Sequence, residues 1–139
     1  MNPLTTVDFE DQTPQDFAPG QTLISNGVRF YLLPGTTVPM SIMRSSGTHV
    51  NGQVLVVRQG TVDINLNQAT KSFSFWYTNA GKGLTVRFLQ DDLIITEIHE
   101  PPHGGGEKEF KPAIERTFTR VQIEVPGDSV LIDKLELAQ

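Results

Sequence analysis

The chain has no cysteine, which excludes a disulfide-stapled scaffold, a thiolate metal site and a cysteine nucleophile. Positive charge is also scarce. Lys and Arg total 11 against 16 Asp and Glu, a net charge of −5, and the cations are scattered along the chain. Nucleic-acid binding needs clustered cations facing phosphates, so no nucleic-acid partner is expected. No apolar run approaches the roughly 18 residues of a membrane-spanning helix, and no membrane insertion is expected. Met1-Asn-Pro-Leu-Thr-Thr carries neither a basic n-region nor an apolar h-region, so no signal peptide is visible. A secreted location would require a leader removed upstream; otherwise the cytoplasm is expected. There is no Gly-x-Ser-x-Gly nucleophile elbow, phosphate-cradling loop or dinucleotide fingerprint, and Gly104-Gly105-Gly106 precedes no helical pattern.

Sustained helical periodicity is missing too, and what replaces it is period-2 alternation. With 12 Gly and 9 Pro in 139 residues, the composition suits short strands joined by turns within one domain, residues 1–139. The central stretch is Lys71–Leu89, in which Phe73, Phe75 and Tyr77 alternate with Ser72, Ser74 and Trp76. After a turn around Ala80-Gly81, Leu84, Val86 and Phe88 alternate with Thr85 and Arg87. Read as a hairpin, this puts Tyr77 opposite Leu84 and Trp76 opposite Thr85, with Arg87 diagonal to Trp76. Phe73, Phe75, Tyr77, Leu84, Val86 and Phe88 are expected in the core, together with Val121 and Ile123 from a later strand.

Further strands are predicted on either side. Thr5–Glu10 opens the chain, Asp11–Thr22 reads as a loop, and Leu23–Leu33 is a strand pair turning at Asn26-Gly27, where both residues tolerate positive φ. Val38–Arg44 follows, restricted by Pro39 to an edge or a first position. Val54–Arg58, Thr61–Leu66, Leu93–His99, Thr117–Val125 and Ser129–Leu137 complete the set. Pro126-Gly127-Asp128 is a turn, and only Ala113–Thr117 has room for a helical turn. Glu100–Lys111 is expected as an exposed, mobile loop because its three successive glycines maximise chain entropy. About ten strands, with turn signals roughly every 8–12 residues, point to an antiparallel β-sandwich or closed barrel.

The two chain ends, Val7-Asp8-Phe9-Glu10 and Leu131-Ile132-Asp133-Lys134-Leu135-Glu136-Leu137, resemble the ends of β-jelly-roll carbohydrate-binding modules of the calcium-stabilised, galactose-binding-like kind. The resemblance implies an all-β jelly-roll sandwich and a structural calcium shared by Glu10 and Asp133. It also implies a lectin-like function: non-catalytic binding of a carbohydrate or another small polar molecule. Calcium would need six to eight oxygen ligands, and carbonyls of the Asp11–Thr22 loop could add to the two carboxylates.

Trp76, the only tryptophan, sits on the polar phase of its strand and is the candidate platform for a sugar ring. Arg87, Asp63, Asn65, Arg120 and Gln122 project from polar phases and could supply hydrogen bonds beside it. The competing reading buries Trp76 under a loop with Arg87 stacked on it as a cation–π contact. Glu97 and His99, at i and i+2, are followed by Glu100, His103 and Glu107, a mixture able to hold a metal or exchange protons, or simply to be solvated. His49 reads as isolated and exposed. Two other functions compete with glycan binding. One is a small jelly-roll enzyme of cyclase, isomerase or lyase type drawing on Glu97, His99, Asp63 and Asp133, which a deep apolar pocket ending in a carboxylate would favour. The other is an assembly subunit, which an uncovered apolar sheet face would favour.

Overall fold

A computed structural model of the chain describes residues 4–127 and 129–138; Met1, Asn2 and Pro3 of the opening stretch, and Asp128 of the expected turn, lie outside them. In chain order the strands begin with β1 (Leu4–Val7), β2 (Gln15–Phe17), β3 (Thr22–Ser25), β4 (Val28–Leu32), β5 (Met40–Ser46) and β6 (Asn51–Val57). They continue with β7 (Gly60–Thr70), β8 (Ser72–Ala80), β9 (Leu84–Gln90), β10 (Leu93–Glu100), β11 (His103–Phe110), β12 (Phe118–Val125) and β13 (Val130–Ala138). Two antiparallel sheets result. The seven-stranded sheet runs β11-β8-β13-β6-β5-β2, with β1 also pairing β13, and the six-stranded sheet runs β10-β9-β12-β7-β4-β3. This is the expected β-sandwich, and its inner faces form one apolar layer. Phe73, Phe75, Tyr77, Leu84, Val86, Phe88, Val121 and Ile123 are all buried in it, as their alternation predicts.

The central stretch is not a hairpin. β8 belongs to the seven-stranded sheet and β9 to the six-stranded one. Tyr77 pairs with Ile132 and Lys108, Trp76 with Asp133 and Glu109, and Thr85 with His99 and Glu124. The chain crosses between sheets at 81–83, where Gly83 donates its N–H to the Ala80 carbonyl at 2.9 Å and adopts φ +76°. A Cβ on Gly83 would also collide with the backbone at Glu100. Two strands facing each other across a core show the same alternation as two strands paired in one sheet, so the pattern alone does not separate these arrangements.

Glu100–Lys111, expected as a mobile loop, instead contains strand β11 on the edge beside β8. Gly104, Gly105 and Gly106 absorb a register shift between His103 and Glu107, after which Phe110 drops into the core. Low hydrophobicity disguised the strand because Phe110 is its one large apolar anchor. Elsewhere Asn26 and Gly27 turn β3 into β4 with φ of 46° and 78°, as expected. Pro39 stands just before β5, and β2 rather than β5 closes that edge. Ala113–Thr117 forms an irregular connection, not a helical turn.

Phe75 touches Phe73, Tyr77 and Phe110 at ring-centroid distances of 5.7, 5.8 and 5.0 Å. Phe75→Ala should therefore destabilise the protein by about 3–5 kcal/mol, read as a lowered denaturation midpoint at unchanged slope. A midpoint equal to wild type would contradict this packing.

Candidate functional site

Alternation that buries one face of each strand of the six-stranded sheet sends the intervening side chains outward, and cross-strand register lines them up. One row reads Glu97, Arg87, Gln122, Asp63, Tyr31 and Thr22 across β10, β9, β12, β7, β4 and β3. Beside it, Arg120 pairs with Asn65 and Asn65 with Arg29; on the other side lie His99, Thr85, Glu124 and Thr61. Trp76 apart, every residue expected to bind ligand is on this face. Tyr31, half-buried and next to the edge strand in this row, is an aromatic that sequence reasoning missed. Its signal was the one that singled out Trp76: it lies on the polar phase of its strand, between Phe30 and Leu32.

The polar groups of this face hold one another in place. The Arg87 guanidinium donates to Glu97 at 2.7 Å and also to Glu124. Arg120 donates to Asp63 at 3.1 and 3.2 Å and to Asp92. The bond to Glu124 raises the pKa of Arg87 against partial desolvation, and the bond from Arg87 holds Glu97 below the usual carboxylate range. Such cross-braced guanidiniums and carboxylates form a pre-set array of planar donors and acceptors.

Trp76 stands on the outer face of the opposite sheet, so the platform expected to combine it with Arg87 does not exist. The β5–β6 loop lies over it. The His49 imidazole stacks on the indole with centroids 3.6 Å apart and planes 2° apart. Val50, Val54, Val56 and Leu131 pack around the pair as a small apolar cluster. His49 is therefore neither isolated nor fully exposed, and it takes the covering position expected of Arg87. Glu107 on β11 fastens the loop by accepting the backbone N–H groups of His49 (2.9 and 3.0 Å) and Val50 (2.7 Å). His49 Nδ1 is 3.2 Å from the same carboxylate.

The expected proton-handling residues are dispersed. His99 Nε2 lies 3.1 Å from Glu97, but both are at the rim and Glu97 is committed to Arg87. Asp63 lies further across the sheet, against Arg120. Glu100 points between the sheets, where it accepts the Tyr77 hydroxyl at 2.8 Å and pairs with Lys108 at 3.2 Å. Burial, and then this bond, push the Tyr77 hydroxyl pKa up. A cleft of about 630 Å³ is lined by Arg44, Ser45, Ser46, Asn51 and Gly52, a polar set without a carboxylate.

The ends of the chain meet the start of β6. Glu10 accepts the Gln53 N–H at 2.9 Å and Asp133 accepts the Asn51 N–H at 3.1 Å. The remaining bonds of Asp133 come from the Lys134 backbone N–H at 2.8 Å and the Lys134 ammonium at 3.1 Å. As placed, this set does not suit calcium. A cation already sits on Asp133, and among the described residues no third His, Asp or Glu completes a metal-holding group. The nearby Gln53 Oε1 is buried without a hydrogen-bond partner.

The Glu107 clamp gives a pH-dependent prediction. Partial desolvation, the largest single influence, raises its pKa, but the N–H groups of Val50 and His49 outweigh it and leave the group below the carboxylate norm of 4.5. The folded-state pKa is depressed, so the clamp contributes fully above the unfolded value and is lost as pH falls through the folded one. Acidification below about pH 4.5, or Glu107→Ala at neutral pH, should release the loop and shift Trp76 emission to the red. Glu107→Ala with a wild-type spectrum would show that the stack holds without the carboxylate.

No protein-family profile matches the chain, and no curated protein does. Solved structures do. A single-residue mutant of a family 29 carbohydrate-binding module matches with a TM-score of 0.51 and 11% identity, covering 99% of this chain and 93% of its own. A histidine mutant of the lectin-binding domain of lectinolysin, complexed with Lewis b, gives 0.49 and 13% over 62% of this chain and 70% of its own. A fucose-binding module of Streptococcus pneumoniae gives 0.47 and 10% over 61% and 69%. At these identities the likeness is one of fold, and the chain is an antiparallel β-sandwich built like the family 29 carbohydrate-binding module.

Proposed function

We propose that the chain binds a glycan non-catalytically, on the outer face of its six-stranded sheet. The observation that carries this reading is the register row Arg87-Gln122-Asp63-Tyr31, an aromatic ring in line with planar polar groups. A sugar offers an apolar C–H face and a rim of hydroxyls that both donate and accept. Tyr31 matches the first; the guanidiniums, carboxylates and amides of Arg87, Asp63, Asn65, Arg120 and Gln122 match the second. Ion pairs of Arg87 with Glu97 and Glu124, and of Arg120 with Asp63 and Asp92, fix the two guanidiniums beforehand, which lowers the entropic cost of binding. The fold neighbour described as a carbohydrate-binding module supports the ligand class and says nothing about the face.

A second reading keeps Trp76 as the platform, favoured by its stack with an imidazole whose side chain is 45% exposed. A ring ligand would then lie on His49 or displace it. Calorimetric titration against a glycan panel separates the two. Tyr31→Ala should weaken binding by about 1–3 kcal/mol, the scale on which stacked ring ligands depend on one aromatic, and Trp76→Ala should leave affinity unchanged. The opposite pattern would move the site to the other sheet, and wild-type protein that binds no glycan would refute the function itself.

A further inference from the structure

We infer that the Lys134 ammonium takes the place of the structural calcium at the junction of the chain ends, so that this sandwich is held closed without a metal. The pairing ladder along β13 is broken at this junction. Along one edge of β13, Val130, Leu131 and Ile132 pair with β6, whereas Leu135 onward pairs with β1. Neither strand covers Asp133 and Lys134. On the other edge, pairing with β8 slips between Asp133 and Glu136, and Lys134 adopts φ +55°. This is a bulge, and it leaves β6 entering the sheet with N–H groups that no strand carbonyl meets.

Carboxylates fill the gap. Asp133 takes the Asn51 N–H and Glu10 takes the Gln53 N–H, standing in for the missing strand. Gly52 between them has φ +74°, and a Cβ there would collide with the Glu10 carboxylate. Asp133 is fully buried, and a buried carboxylate needs a compensating cation. The bulge supplies one from the next residue, since the Lys134 ammonium folds back to 3.1 Å from Asp133 Oδ2 while its backbone N–H binds Oδ1. Calcium on Asp133 would have to displace that ammonium or sit beside it. Both carboxylates are thus explained by backbone satisfaction and an internal ion pair.

The test follows unfolding of chelator-stripped protein with and without calcium at roughly 10 mM, above the 10⁻⁴–10⁻³ M dissociation constants of ordinary extracellular calcium modules. Wild type should show the same Tm in both and no metal by elemental analysis. Lys134→Gln should lower Tm by roughly 5 °C or more, because it strips the partner from a buried charge. Calcium should restore part of that loss, and Asp133→Asn in the same background should abolish the response. Lys134→Arg should stay near wild type. A wild-type Tm that falls with chelator or rises with calcium overturns the inference, as does Lys134→Gln with wild-type stability. Should Lys134→Gln fail to fold, the wild-type comparison and Lys134→Arg decide alone.

Discussion

Phe88 on β9 meets Phe73 at 6.0 Å and Phe110 at 6.4 Å, both from the opposite sheet, and Phe118 at 4.8 Å from its own side. This aromatic layer is the constraint that the rest of the structure obeys. Each strand must turn alternate side chains toward it, so each strand must also turn the others away. The outer faces are thereby composed of what the core rejects. On the six-stranded sheet that remainder is polar over the central strands, with Ile24 exposed on one edge strand and Leu93 and Ile94 on the other. On the seven-stranded sheet it is apolar near Val54, Val56 and Trp76, and the β5–β6 loop covers it.

Carboxylates repeatedly complete the backbone where strand pairing stops. Glu107 gathers the N–H groups of the loop over Trp76, and Asp133 and Glu10 take those at the start of β6. Each joins segments far apart in sequence, and each relieves buried N–H groups that would otherwise be costly. Three acidic residues that resemble ligands for a metal or a sugar thus have backbone partners. The carboxylates of the six-stranded face differ, since Glu97, Glu124, Asp63 and Asp92 face guanidiniums and leave an organised polar surface.

The sequence by itself determined the strand class, most strand positions and the phase of the strands it located. Period-2 alternation with a strong apolar phase has only one inexpensive solution, and Phe73, Phe75, Tyr77, Val86, Phe88 and Ile123 were assigned to the core on that basis. Turn chemistry was equally local: Asn26-Gly27 needs positive φ and nothing more distant. The polar membership of the candidate face was legible for the same reason, because Asp63, Asn65, Arg87 and Gln122 alternate with core residues.

Which strands share a sheet was decided only by tertiary structure. Alternation records that a side chain faces a core, not from which side, so Lys71–Leu89 read as a hairpin when it crosses from one sheet to the other. That crossing separates Trp76 from Arg87 and unites Arg87 with Tyr31. The strand after Glu100 was hidden because edge strands need few apolar anchors, and glycines at a bulge look like glycines in a loop. The partners of His49, Glu107 and Asp133 lie up to 82 residues away in sequence. No local pattern encodes such pairs, because they exist only once strands distant in sequence have assembled side by side in the seven-stranded sheet and its unpaired backbone groups need acceptors.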